Sequence, residues 1–506
     1  MKFTSMDELD VTPGLLTVRR AVPRGAPVDA PVGAGDAGWV ADGRAASYVQ
    51  EAHIAGALAG GRGEGRAPAW LASAFEMPGA DAAALEGALL GWIDRHESLR
   101  SRLVPADGAA LGGLRRVTLP AGGVALRHSV EGEFESGKLL ASRIEEVFDA
   151  ETDPLAWPSF VFATVEHADG LTLYLGFDHS NVDGYSILLI AQEIRELYAA
   201  VAAGTPAALN EVGSYLDFAD TEREYAALVH DEHEAVVRWR EFLGSGGGRL
   251  PGFPGTTDGD RGASGRSAGP VGEQIGGCDW LLDSATAQAF QSACRDHGGN
   301  FLTGVLACLA LSGHDQHGPG RGQDEFRALT PFHTRGDARW THSVGWYVGL
   351  APLRIAVHRG DTFADVLPGA SAALDGAGEM AAIPFPRVSE LLGTRLRPRF
   401  VVSYMDMRRT PGARQWGAWK AAALRSRCAD PDEVYLWINR TYDGVYVSFR
   451  HPATERARLA VSRLVAGTGR LMNRVAGEGV PGGPADMNDV LPRDLVPARQ
   501  QEPAPC

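Results

Sequence analysis

The chain has 506 residues, with 48 Lys plus Arg against 63 Asp plus Glu and a formal net charge of −15. That balance argues against broad nucleic-acid binding, which needs a basic face, and 44% hydrophobic with 22% charged residues argues against a disordered chain. Its length allows several domains and a large buried core.

Residues 1–44 are rich in Gly, Pro, Ala and Asp, with one short strand expected over 15–18. A helix follows over 47–53, then a loop over 64–68. Residues 81–96 carry Leu85, Leu89, Trp92 and Ile93 at helical spacing. Short strands are expected over 114–119 and 124–128, and an amphipathic helix over 138–148. The segments 160–165 and 171–177 read as paired strands joined by a turn at Ala168-Asp169-Gly170. Helices follow over 186–202, 214–233 and 236–243.

The sharpest change of composition begins at Gly244-Ser245-Gly246-Gly247-Gly248 and runs to about Gly277. Beyond it come helices over 284–297 and 301–312, strands over 327–330 and 344–355, and a helix over 362–374. Strands over 400–404, 434–439 and 445–449 and a helix over 454–471 complete the second half. This gives an N-terminal lobe (1–243), a Gly/Pro-rich connection (244–277), a C-terminal lobe (278–476) and a flexible tail (477–506), in an α+β class.

The five cysteines (Cys278, Cys294, Cys308, Cys428 and Cys506) are odd in number and lack a C-x-x-C pair, which argues against a disulfide framework or a metal site. No secretory h-region follows the first residues, and no apolar run approaches the roughly 20 residues of a spanning helix. A cytoplasmic protein is therefore expected. A local basic patch at Arg395, Arg397 and Arg399, followed by Arg408, Arg409 and Arg414, stands against the acidic balance.

His179-Ser180-Asn181-Val182-Asp183-Gly184 lies between the apolar run 171–177 and the apolar run 185–190. A histidine at a strand end suits general-base help to an attacking hydroxyl or amine. Gly184 allows a substrate to approach the backbone. Asp183 either braces the turn or caps the helix that follows it.

This H-x-x-x-D-G pattern comes with companions in order. Ser47-Tyr48-Val49-Gln50, Arg95-His96-Glu97-Ser98-Leu99-Arg100, Tyr215-Leu216-Asp217-Phe218-Ala219 and Trp239-Arg240-Glu241-Phe242-Leu243 resemble landmarks of the condensation-domain superfamily. Val344 to Arg354 is similar to its segment V-G-x-F-x-N-x-x-P-x-R. Gly345 to Gly349 and Val402 to Arg408 most resemble actinobacterial polyketide-associated acyltransferases. The sequence departs from the pattern at Asp178, where the superfamily has a first His, and at Gly349, where it has Asn.

The resemblance implies a V-shaped pseudodimer of two chloramphenicol-acetyltransferase-like lobes with a tunnel between them. It implies His179 as base, Asp183 paired with Arg335 from the other lobe, and Asp178 as loop support. Gly184 and Ser403 would help at the oxyanion, and Ser403, Tyr404 and Trp346 would line the tunnel. The donor would be an acyl thioester on coenzyme A or a carrier-protein pantetheine, and the acceptor a small alcohol or amine. No metal, permanently bound cofactor or nucleic acid is expected, and a monomer is. Two alternatives stay open: peptide-bond condensation on carriers acting in trans, and a degenerate lobe pair that only binds a carrier.

Overall fold

The computed structural model describes residues 1–27, 38–60, 68–106, 113–168, 170–253, 274–315, 324–427 and 432–478. Asp169, most of the connection, the glycine-rich loop at 318–322, Cys428, and the tail from 479 to Cys506 lie outside the described residues, as does nearly all of the loop expected over 64–68.

Seven strands form the first sheet, in the order Phe3–Thr4, Ala422–Arg425, Trp70–Met77, Gly170–Asp178, Phe160–His167, Gly14–Pro23 and Val124–Phe134. Alternation along Phe160–His167 explains its two-sided burial. Val161, Ala163 and Val165 share a core with Leu140, Ile144 and Phe148 of helix Gly137–Glu151. Phe160 and Phe162 point the other way, into a core with Leu89 and Trp92 of helix Ala82–Arg95 and Ile187 and Ile190 of helix Gly184–Ala203. Burial on both faces is why the partner strand reads as a nearly continuous apolar run.

Six strands form the second sheet, in the order Gln274–Asp283, Gly444–Pro452, Val434–Arg440, Phe400–Asp406, Glu325–His333 and Val348–Ala356. One face packs on helices Ser284–Asp296, Phe301–Asp315, Phe363–Leu374 and Glu455–Glu478. The other packs on helices Glu234–Ser245, Ala377–Ala382 and Phe385–Leu391.

The halves exchange elements. Ala422–Arg425, from late in the chain, pairs antiparallel with Trp70–Met77 in the first sheet. Helix Glu234–Ser245, from the first half, buries Val236 and Trp239 against the second sheet through Leu329, Ala351 and Val401. Strand Gln274–Asp283 begins inside the segment read as a connection. The strand read over 344–355 starts only at Val348, because Gly345 is pressed against the Tyr215 ring, where a Cβ would lie 2.3 Å from Cδ2.

Candidate active site

The loop after strand Gly170–Asp178 is held at nearly every residue. The Asp178 N–H donates to Ser159 O at 2.8 Å and the His179 N–H to Ala69 O at 2.9 Å. Ser180 N–H donates to Asp178 Oδ1 at 2.8 Å, which makes the carboxylate a brace for its own turn. Asn181 Nδ2 reaches Ser159 Oγ at 2.7 Å, and Gln50 Nε2 donates to Ser180 O at 2.9 Å. Gln50 belongs to the Ser47–Gln50 signature, whose Ser47 Oγ lies 2.9 Å from the Tyr215 hydroxyl.

Asp183 caps helix Gly184–Ala203 through Ser186 N–H at 2.7 Å. Its carboxylate also meets the Arg335 guanidinium at 2.7 and 3.0 Å and takes the Tyr347 N–H at 3.0 Å. Both side chains are buried, Asp183 to 1% exposure. Burial pushes this carboxyl up, but the Arg335 charge and the donated hydrogen bonds outweigh it and hold it below the usual carboxylate range. The cap and the Asp183–Arg335 pair are one structure.

His179 is half-buried, and its ring centroid lies 4.1 Å from that of Trp346 at 33°. Nδ1 is buried and makes no hydrogen bond to another described residue, which makes Nε2 the candidate base nitrogen. Burial lowers the pKa of the ring below the ordinary histidine value; its own backbone carbonyl opposes this, His53 adds to it, and Asp178 and Asp183 oppose it. A neutral imidazole near pH 7 follows, as a general base requires.

The other predicted residues divide. A Cβ on Gly184 would make only ordinary contacts, 3.6 Å from Met405 Cε and Phe3 Cζ. Along Phe400–Asp406, Val401 and Met405 pack toward one side, and alternation puts Ser403 with them. Tyr404 falls on the opposite face, its ring 6.0 Å from Phe301 among the covering helices, and is not brought to the His179 group. Met405, the next residue, is the one on this strand that faces Gly184. Of the basic residues, Arg408 is engaged by Asp406 at 2.6 Å, and Arg414 lies over the ring of Tyr442, whose hydroxyl donates to Arg408 O at 2.9 Å.

The Arg95–Arg100 signature is an architectural joint. Trp92 Nε1 and His96 Nε2 meet Glu193 Oε2 at 2.9 and 2.7 Å, which ties helix Ala82–Arg95 to helix Gly184–Ala203. The Val344 N–H donates to His96 Nδ1 at 3.4 Å, so Nε2 carries the proton given to Glu193. Gly349 is also structural: a Cβ there would lie 1.7 Å from Ala381 O, where helix Ala377–Ala382 crosses the strand. Asn has no room at that position.

One site residue escaped the sequence reading. His53 Nε2 sits 3.1 Å from both oxygens of Asp178, and its ring meets Trp346 edge-on at 5.6 Å. Its only signal is its spacing of three from Gln50, which puts both on one helix face.

A family model described as "Condensation domain" matches residues 69–401. The chain belongs to the condensation-domain family. It is 28% identical over 356 residues to acyltransferase PapA3 of Mycobacterium tuberculosis, covering 68% of this chain and 71% of that one. Trehalose-2-sulfate acyltransferase PapA2 of Mycobacterium bovis is 29% identical over 350 residues, 65% of this chain and 69% of that one. Over 271 residues, 53% of this chain and 50% of that one, it is 30% identical to the 2'-acyl-2-O-sulfo-trehalose (hydroxy)phthioceranyltransferase PapA1 of M. tuberculosis. Among solved structures, a PapA2 acyl transferase superposes with a TM-score of 0.77 at 21% identity, covering 94% of this chain and all of that one. The first condensation domain of the calcium-dependent antibiotic synthetase gives 0.63 at 18% identity, covering 86% of this chain and 98% of that one. The fold is the mixed α/β condensation-domain fold, and the protein is an acyltransferase, similar to the PapA acyltransferases. Among the described residues, no helix is long and apolar enough to cross a membrane.

Proposed function

We propose that this acyltransferase moves an acyl group from a thioester, on coenzyme A or a carrier-protein pantetheine, to a hydroxyl of a small polyol, in natural-product or lipid assembly. The halves would form a V, with donor and acceptor entering a tunnel from opposite sides. A hydroxyl is favoured over an amine because two relatives bear names that refer to acylated trehalose.

His179 carries the reading: it is a half-buried residue whose lowered pKa favours the neutral ring, set between a fixed loop and Trp346 of the other half. Nε2 would accept the hydroxyl proton as the oxygen attacks the thioester carbonyl carbon. The tetrahedral intermediate then collapses, the C–S bond breaks, and the proton passes from Nε2 to the leaving sulfur. Products are an ester and a free thiol. General-base help of this kind supplies about 10²–10⁴ in rate. The Gly184 N–H lies in the first helical turn, whose donors have no intrahelical acceptor, and this supports a role at the oxyanion. Asp183, locked to Arg335, braces the loop and carries no proton.

The test is intact-mass detection of acyl transfer with a panel of acyl-CoA and acyl-carrier donors against sugars, simple alcohols and amines. Ester formation on a polyol supports the proposal. Amide formation alone, or binding without turnover, contradicts it.

A further inference from the structure

We infer that His53 is a positioning residue for acyl transfer, forming with Asp178 an imidazole–carboxylate pair that orients His179 and governs its protonation. The inference rests on His179 being the base.

Helix Tyr48–Gly60 presents Gln50 and His53 on one face. Gln50 holds the Ser180 carbonyl and His53 holds the Asp178 carboxylate, so the helix grips the loop on both sides of His179. Asp178 is fully buried, and the other described hydrogen bond to its carboxylate comes from the Ser180 N–H. A buried carboxylate with one neutral donor would be costly without a partner. His53 supplies it from a side chain still 16% exposed. Trp346 closes the arrangement, its ring tilted 33° to that of His179 and nearly perpendicular to that of His53.

Among the charges around the pair, His333 lies near Arg335 and Asp183, and burial lowers its pKa. Asp183, at the start of the next helix, is neutralised by Arg335 from the second half. On the helix of His53, Glu51 is paired with Arg223. Glu222, from helix Tyr215–Leu228, accepts the Tyr48 N–H at 2.8 Å, and burial raises its carboxyl to about 7. Of the charged groups that act on His179, Asp183 is thus paired with Arg335, which leaves His53 and Asp178. The carboxylate favours a proton on His179 and the His53 charge opposes it. Removing His53 should make His179 harder to deprotonate.

The experiment compares kcat/KM against pH for wild type, His53→Gln, His53→Ala and the double variant His53→Gln/Asp178→Asn. Gln keeps a donor for Asp178 but no charge. Its plateau should stay within about threefold of wild type while the acid limb moves up by about one pH unit. Ala, losing the donor too, should show the same displacement with a plateau lower by about tenfold or more. The double variant, with neither charge, should return the limb to near its wild-type position. An unmoved limb in both single variants would reduce His53 to a structural prop and overturn the inference. Should the variants not fold, ring-proton NMR of the wild-type chain decides: interacting titrations of His53 and His179 support it, and independent single steps overturn it. A His179→Ala control that keeps wild-type turnover would defeat the base assignment instead, leaving the NMR coupling to judge His53.

Discussion

Asp183 and Arg335, 152 positions apart in the chain, meet through two hydrogen bonds at 2.7 and 3.0 Å. The same Arg335 Nη2 reaches Ser186 Oγ at 2.9 Å, and Ser186 Oγ in turn donates to Gly345 O at 3.0 Å. One guanidinium thus joins the active-site helix to the segment that carries Trp346. A buried pair of this kind is worth little against an apolar substitute, but breaking one side strands a charge. Arg335→Leu should therefore cost about 3–5 kcal/mol and lower activity at every pH. Asp183→Asn, which can keep an acceptor for the cap, should cost less. Urea unfolding of both variants checks the ordering. The Asp183 carboxyl is held below its unfolded value of 3.8, so its contribution is complete at neutral pH and is lost as the pH falls below about that value.

Gly349→Asn restores the residue of the superfamily pattern, yet its Cβ would fall on the Ala381 carbonyl. The expected result is a loss of about 1–3 kcal/mol with no gain in turnover. Thermal unfolding and kcat measure the two parts separately.

Much of the fold was legible because local pattern and burial agree. Leu85, Leu89, Trp92 and Ile93 announce their helix, and the paired strands on either side of Gly170 announce the site's platform. Strand Trp70–Met77 was not read, since Ala72, Ser73 and Ala74 are small and have no strong preference for strands. Ala422–Arg425 is too short for a periodicity and owes its state to a partner more than three hundred positions away. Strand parity would have separated Tyr404 from Ser403, since Val402 beside them is core-facing. The Asp183–Arg335 pairing came from resemblance, because no local signal joins positions so far apart. His53 is surrounded by Ala, Ile and Gly in a helix with little amphipathic contrast, so nothing local marked it as polar machinery.

Glu222 offers a second pH test. Its folded carboxyl is raised by burial to about 7 from an ordinary 4.5. The folded state then holds the proton more tightly, so wild-type stability should fall as the pH rises through that window. Glu222→Gln keeps an acceptor for the Tyr48 N–H and should remove the fall, an effect on the order of 1 kcal/mol after allowing for partial exposure. Unfolding midpoints at several pH values decide it.

Gly184→Ala separates folding from catalysis. Its Cβ meets only van der Waals contacts, so stability should stay within about 0.5 kcal/mol of wild type. If substrate lies against this backbone, kcat/KM should drop by about tenfold or more. Unchanged kinetics would move the substrate away from Gly184.

The most direct measurement is single-turnover acyl transfer by His179→Ala and His179→Gln, beside wild type, at saturating donor and acceptor. The account predicts folded proteins that still bind both substrates but transfer the acyl group about 10²–10⁴ times more slowly. Transfer at the wild-type rate by either variant would contradict it.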